Sequence, residues 1–200
     1  MAKNKTDVII ANPIYDAVFK GLMTTKKVTN KDVAGYFVGT VLGEEITDIV
    51  LLPQEYDYNP KLKKIIRTKK RSGTKLVRMD FVATIRTKSG EYKKLLIEIQ
   101  KSQKPTDLFR FRTYLGEQYR QTDMVTVKDS KTEQSLPIVL IYMLGFTLPG
   151  IEAIAVKAGR KYMDLIANNE ITVKNPFIES LTHDAYFIQV PRITKDIYGD

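Results

Sequence analysis

Asp80 and Glu98 are the residues whose placement in this chain points most directly to chemistry. Asp80 lies within the apolar-rich stretch from Val77 to Ile85, and Glu98 is enclosed in Leu95-Leu96-Ile97-Glu98-Ile99-Gln100. Side chains of a strand alternate between faces, so Ile97 and Ile99 point one way and Glu98 and Gln100 the other. A carboxylate on a half-buried strand is costly unless it is paired or holds a cation. If the two segments are consecutive antiparallel strands, the acids approach each other and repel. A bound Mg²⁺ relieves that repulsion, since it is held by one or two carboxylates with waters and phosphate oxygens completing its shell. The same spacing permits a plainer arrangement, with both acids on the solvent face of an edge strand beside Lys93 or Lys94.

Two further groups suit a phosphate-bearing partner. Arg110 and Tyr114 are four residues apart and share one face of a helix, with Gln118 a turn further on. A guanidinium binds two phosphate oxygens at once; a salt-bridged helix surface would use the same residues. Upstream, the segment from Lys61 to Arg78 holds nine basic residues and no acidic one, Lys69, Lys70 and Arg71 among them. The formal net charge is +9, so removing this segment leaves basic and acidic residues in equal number. A local basic run favours a polyanion, because each Lys or Arg near a phosphate releases counterions. A solvated loop tip without a partner is the alternative. The segment lacks the aromatic or leucine-rich face that an acidic membrane surface would take up. His183 is the only histidine, and near a strand end it reads as a packing or capping residue.

The elements that would position these side chains are legible in outline. Asn12 and Pro13 open a predicted helix over 12–23, with Ile14, Val18 and Leu22 on one face and Phe19 beside them. A second helix is predicted from Asn30 to Val41, with Val33, Phe37, Val38 and Val41 inward and Gly43 as its stop. Residues 46–52 read as a strand. Leu76 to Thr87, the turn Lys88-Ser89-Gly90-Glu91, and Tyr92 to Gln100 read as a hairpin. Pro105 and Thr106 open a helix to about Gln121, with a stripe of Leu108, Phe111, Leu115 and Tyr119. Residues 136–146 are nearly all apolar, which suits a central strand buried on both faces. Residues 151–174 fit either a helix or a small hairpin; Gly159 and the Asn168-Asn169 turn favour the hairpin. A last strand, Ala185 to Val190, ends at Pro191. The fold class expected is α/β, a mixed β-sheet flanked by helices.

Composition sets the outer limits. With 200 residues, 43% of them apolar and 28% charged, the chain can bury one core, so 1–200 is read as one domain with an insertion near 151–174. The absence of cysteine excludes disulfides, thiolate metal sites and a cysteine nucleophile. No apolar run is long enough for a signal peptide or a bilayer span, so a soluble, cytoplasmic protein with no membrane partner is expected.

Asp80, a hairpin turn, Glu98-Ile99-Gln100 and a following helix with Arg110 and Tyr114 together resemble the PD-(D/E)XK nuclease superfamily. More narrowly, the chain resembles the PD-(D/E)XK nuclease family transposases, which are related to the recombination-promoting nucleases. Tyr15-Asp16-Ala17-Val18-Phe19-Lys20 is similar to that branch's opening Asp-x-x-Phe-Lys helix. Phe177-Ile178-Glu179-Ser180-Leu181-Thr182-His183-Asp184 is similar to its domain end. The resemblance implies a restriction-endonuclease-like fold and metal-dependent DNA hydrolysis of low sequence specificity, linked to recombination or mobile elements. It implies Asp80 and Glu98 as ligands of Mg²⁺, with Mn²⁺ able to substitute, the Ile99 carbonyl as a further ligand, and Asp16 as an additional acid. Gln100 stands where the motif has lysine, and Met79 where it has proline. Glutamine can orient a water but brings no charge. Arg110-Phe111-Arg112-Thr113-Tyr114 resembles a substrate-contacting Gln-x-x-x-Tyr pair with arginine in first place. These readings make DNA the expected partner and leave a homodimer open. A non-catalytic nucleic-acid-binding or assembly module on the same fold is the competing expectation, and Gln100 is the residue that sustains it.

Overall fold

Alternating apolar side chains and two kinds of strand connection build a mixed sheet with a helix on each face. The computed structural model describes residues 28–52, 55–57, 76–78, 80–103, 105–127 and 130–193. Helix α1 runs Val28–Leu42 and is followed by β1 Ile46–Leu51, β2 Glu55–Asp57, β3 Leu76–Arg78, β4 Phe81–Thr87 and β5 Tyr92–Gln100. Next come α2 Pro105–Arg120, β6 Asp123–Val127, β7 Ser130–Gln134, β8 Ile138–Leu144, β9 Ala155–Ala158, β10 Tyr162–Asp164, β11 Asn169–Ile171, α3 Pro176–Leu181 and β12 His183–Gln189. Six strands form the main sheet in the order β1-β4-β5-β8-β12-β9. The pairs β1–β4, β4–β5 and β12–β9 are antiparallel, whereas β5–β8 and β8–β12 are parallel. The chain is therefore α/β with a mixed six-stranded sheet flanked by helices, consistent with the restriction-endonuclease-like architecture expected.

Each face of the sheet carries its own core. On the α1 side, Ala34 and Val38 pack with Phe81, Ile97, Ile141 and Ile188. On the α2 side, Phe111 and Tyr114 pack with Val82, Leu96, Leu140 and Ala185. Neighbouring residues of one strand, such as Leu96 and Ile97, thus enter different cores, as the two-residue period requires. The termination of α1 is local. Gly43 takes φ +71 and the Glu44 N–H donates to the Gly39 carbonyl at 3.1 Å, closing a Schellman turn. A Cβ on Gly39 would stand 2.7 Å from the Glu44 oxygen, so the turn needs glycine there.

Several expectations are corrected in detail. Val33 is 44% exposed rather than inward; Ala34 takes its place in the core. The run from Leu76 to Thr87 is not one strand but two, β3 pairing with β2 and β4 with β5. Leu108 is 53% exposed, and the buried face of α2 is Phe111, Tyr114 and Gln118. The last strand starts at His183, two residues early. Residues 162–171 do form a hairpin, β10–β11, preceded by β9, which adds a sixth strand to the sheet. The expected helix at 12–23, and with it Asp16, lies outside the described residues, as do Lys69, Lys70 and Arg71. Among the described residues no helix is long and apolar enough to cross a membrane.

Candidate active site

The site forms where β4 stops short of β5. The last β4–β5 pair is Phe81 with Ile97, and one step beyond it Asp80 stands against Glu98. Asp80 does not lie inside a strand; it occupies the bend just before β4. Its Oδ2 accepts the Ile99 N–H at 2.8 Å, so a side chain replaces the backbone acceptor that a longer β4 would have supplied. The N–H and C=O of a strand residue point to the same side, so the Ile99 carbonyl also faces Asp80. On the other side, Glu98 is paired in register with Tyr142 of β8, and Tyr142 with Phe187 of β12. Residues directly opposite in a sheet share a face. Glu98, Tyr142 and Phe187 therefore form one row beneath α2.

Glu98 is 2% exposed. Its Oε1 lies 3.5 Å from Arg110 Nη2, and its Oε2 is buried without a hydrogen-bond partner. Burial first, then the charge of Asp80, push its pKa from 4.5 to about 8, against the opposing pull of Arg110 and the Asp80 amide. The alternative, with both acids on a solvent face beside lysines, does not hold for Glu98. Lys93 sits on the opposite face, paired with Glu44 at 2.6 Å. Lys94 shares Glu98's face but is four residues back, about 13 Å along the strand.

Burial and the nearby Glu98 charge raise the Tyr142 hydroxyl above the ordinary tyrosine range. Its ring is held by a parallel stack on Phe187, 4.8 Å between centroids, and a tilted contact with Phe111 at 4.7 Å. Sequence reasoning missed Tyr142. The available signal was its hydroxyl, the only polar group in the Ile138-Val139-Leu140-Ile141-Tyr142-Met143-Leu144 run.

The remaining sequence-derived residues divide. Arg110 reaches the site from α2, with its guanidinium carbon 6.0 Å from the centroid of the Tyr114 ring. Tyr114 is buried in the core beneath it. Gln100 follows on Glu98's face, half-buried, with its Nε2 donating to the Ser102 carbonyl at 3.1 Å. Arg112 is exposed, two residues on from Arg110, a turn of about 200° around the helix. Gln118 does not join the site. It lies about 12 Å further along α2, in a second buried polar cluster where Lys94 Nζ pairs with Asp123 Oδ1 at 2.8 Å and donates to the Gln118 carbonyl at 3.2 Å.

A cleft of about 940 Å³ opens at the other end of the sheet, lined by residues including Arg86, Lys93, Lys157, Arg160 and Asp184. Its ion pairs are largely internal: Lys157 with Asp184 at 3.3 Å, and Arg160 with Glu179 at 2.8 Å and Asp184 at 3.0 Å. It has no orphaned buried carboxylate of the kind found at Glu98.

Among the described residues, no group of three or more His, Asp or Glu side chains could hold a metal ion. What the geometry offers a divalent cation is two adjacent carboxylates, one with an unpartnered buried oxygen, and a main-chain carbonyl on the strand edge that Asp80 borders. That donor set is all oxygen and fits Mg²⁺ or Mn²⁺, with waters and a phosphate completing the shell. The chain matches no protein-family model, no curated protein and no solved structure.

Proposed function

We propose that the chain is a metal-dependent DNA endonuclease that hydrolyses phosphodiester bonds with low sequence specificity. The observation that carries this reading is the buried, unpartnered Oε2 of Glu98 beside Asp80. A carboxylate kept in so unfavourable a place is expected at a functional site, where a bound cation would compensate it. Asp80, Glu98 and the Ile99 carbonyl would hold Mg²⁺ or Mn²⁺. The ion, when bound, supplies a Lewis acid that polarises the phosphate and lowers the pKa of a water.

The protein's own groups do the rest. Asp80 is fixed by the Ile99 N–H, so its free rotation is lost before the substrate arrives. Tyr142, stacked on Phe187, closes the β8 side of Glu98 and keeps it dry. Arg110 would bind a phosphate oxygen. Gln100 would orient the attacking water by hydrogen bonding. The basic run from Lys61 to Arg78 would track the DNA backbone, contacts that position a duplex without reading its sequence. The resemblance to PD-(D/E)XK nucleases points the same way.

A second reading keeps the fold and drops the chemistry: a nucleic-acid-binding or assembly module. It is favoured by Gln100 itself, an uncharged residue that spends one amide N–H on Ser102. Titration with Mn²⁺ separates the two. The nuclease reading expects binding that is lost in Asp80→Ala and in Glu98→Gln. A module with a degenerate site would bind no Mn²⁺ in any of the three proteins.

A further inference from the structure

Two arginine–carboxylate contacts of the chain, at Arg160 and at Arg110, are built differently. Arg160 shows what a structural fork looks like. Its Nε donates to Asp184 at 3.0 Å, its Nη2 pairs with Glu179 at 2.8 Å, and its Nη1 donates to the Thr182 hydroxyl at 2.7 Å and the Glu179 carbonyl at 3.2 Å. Its side chain is 15% exposed. Lys94, too, is held tightly, 2.8 Å from Asp123 and buried. Arg110 has neither feature. It makes a single contact with Glu98, at 3.5 Å, the outer limit for a hydrogen bond, and its side chain is 50% exposed.

So loose a contact from the guanidinium leaves Glu98 poorly compensated. The Arg110 fork could bind both carboxylate oxygens, and bidentate pairing is the strong form. Here Oε2 receives nothing. A buried charge pair is stable only when its geometry is good and its lone pairs are satisfied. Arg110 is therefore a loose, half-solvated partner of Glu98 at a place where a tight one could have been built. Four of the five guanidinium N–H groups remain available to a ligand arriving from solvent.

We propose that Arg110 is an exchangeable partner: it rests against the Glu98 carboxyl while no divalent cation is bound and is released to the substrate phosphate when one binds. The inference rests on the metal-site reading above. A cation between Asp80 and Glu98 would take the carboxylate oxygen that the guanidinium contacts and repel the guanidinium by like charge. The freed arginine, anchored on α2 above Tyr114, then has its whole fork for a phosphate oxygen. Metal and DNA thus help each other bind through one side chain, and by linkage the effect is reciprocal. Arg110 is a positioning residue in the metal-free protein and a substrate-binding one in the loaded protein.

The test is a binding cycle on full-length wild type, Arg110→Ala and Arg110→Lys, with Glu98→Gln as the control lacking a site. Mn²⁺ affinity is measured by electron paramagnetic resonance, first alone and then with a short phosphorothioate duplex that resists hydrolysis. Arg110→Ala should bind Mn²⁺ roughly 5- to 30-fold more tightly than wild type without DNA, within the usual span of coupling energies. The factor by which the duplex tightens Mn²⁺ binding should fall by about tenfold or more in that variant, and by less in Arg110→Lys. Equal Mn²⁺ affinity in wild type and Arg110→Ala, or an unchanged duplex effect, would overturn the exchange while leaving the metal site standing. Wild type without Glu98-dependent Mn²⁺ binding would overturn the metal-site reading and the exchange together.

Discussion

Replacing Glu98 by glutamine in metal-free protein isolates the cost of keeping a carboxylate in this site. Glu98 has a folded pKa of about 8 against an ordinary 4.5. Below about pH 4.5 the group is protonated in both folded and unfolded chains and has no pH-dependent effect. Between pH 4.5 and 8 the unfolded chain releases the proton while the folded chain retains it. Stability is therefore fully present at low pH and is lost as pH rises through the folded pKa, by up to about 1.4 kcal/mol per pH unit. Over the whole window the loss is on the order of 3 to 5 kcal/mol, a large share of the total stability of a small domain.

The polar groups facing Glu98 are Asp80, Arg110 and the Tyr142 hydroxyl. His183, whose pKa is lowered by burial and Arg160, titrates identically in both proteins and cancels in the difference. The assay is urea denaturation of wild type and Glu98→Gln from pH 5 to 9 in chelator. The two proteins should converge near pH 5, and the variant should exceed wild type increasingly toward pH 8. Saturating Mg²⁺ should flatten the wild-type curve and leave the variant unchanged. Parallel curves across the range would refute the buried-carboxylate argument.

Gln100→Ala should slow Mn²⁺-dependent nicking by about 10- to 1000-fold, the range for losing a positioned donor, and Gln100→Lys should preserve or raise the rate; no nicking in either variant or in wild type would favour the binding module. Changing Lys69, Lys70 and Arg71 together to alanine should reduce the slope of log affinity for DNA against log salt by roughly two to three units, as filter binding at several salt concentrations would show, and an unchanged slope would mean that the run does not touch phosphate. Asp123→Ala should cost about 3 to 5 kcal/mol in urea denaturation by leaving Lys94 buried and unpaired; a loss under about 1 kcal/mol would mean that the cluster relaxes.

The strands around the site were readable because burial imposes a strict two-residue period. Leu95 to Gln100 could serve only as a strand with Glu98 on the face opposite Ile97, and β5 spans Tyr92–Gln100 as expected. The buried run after Leu136 was equally plain. The β6–β7 hairpin was not, because every residue of Ser130–Gln134 is exposed and no apolar alternation marks it. The break between β3 and β4 was hidden because Asp80 supplies a side-chain acceptor in place of the ladder, which composition does not reveal. On α2, hydrophobicity alone pointed to Leu108 and Tyr119. The helix instead turns Phe111, Tyr114 and Gln118 inward, and in doing so leaves Leu108 and Phe109 exposed. Tyr142 escaped notice because a central strand is apolar on both faces, and its partner in register is fixed only once β5 and β8 lie parallel.

The proposal that Asp80 and Glu98 hold a metal that cuts DNA is tested by the rate of conversion of supercoiled plasmid to nicked circles in Mn²⁺ and in Mg²⁺, by wild type and by Asp80→Ala purified in parallel. Cleavage is expected in the wild type, abolished by chelator and reduced at least about 1000-fold in Asp80→Ala, as expected for loss of a residue that acts in the transition state. Equal cleavage by the two proteins, or none by the wild type with either metal, would contradict it.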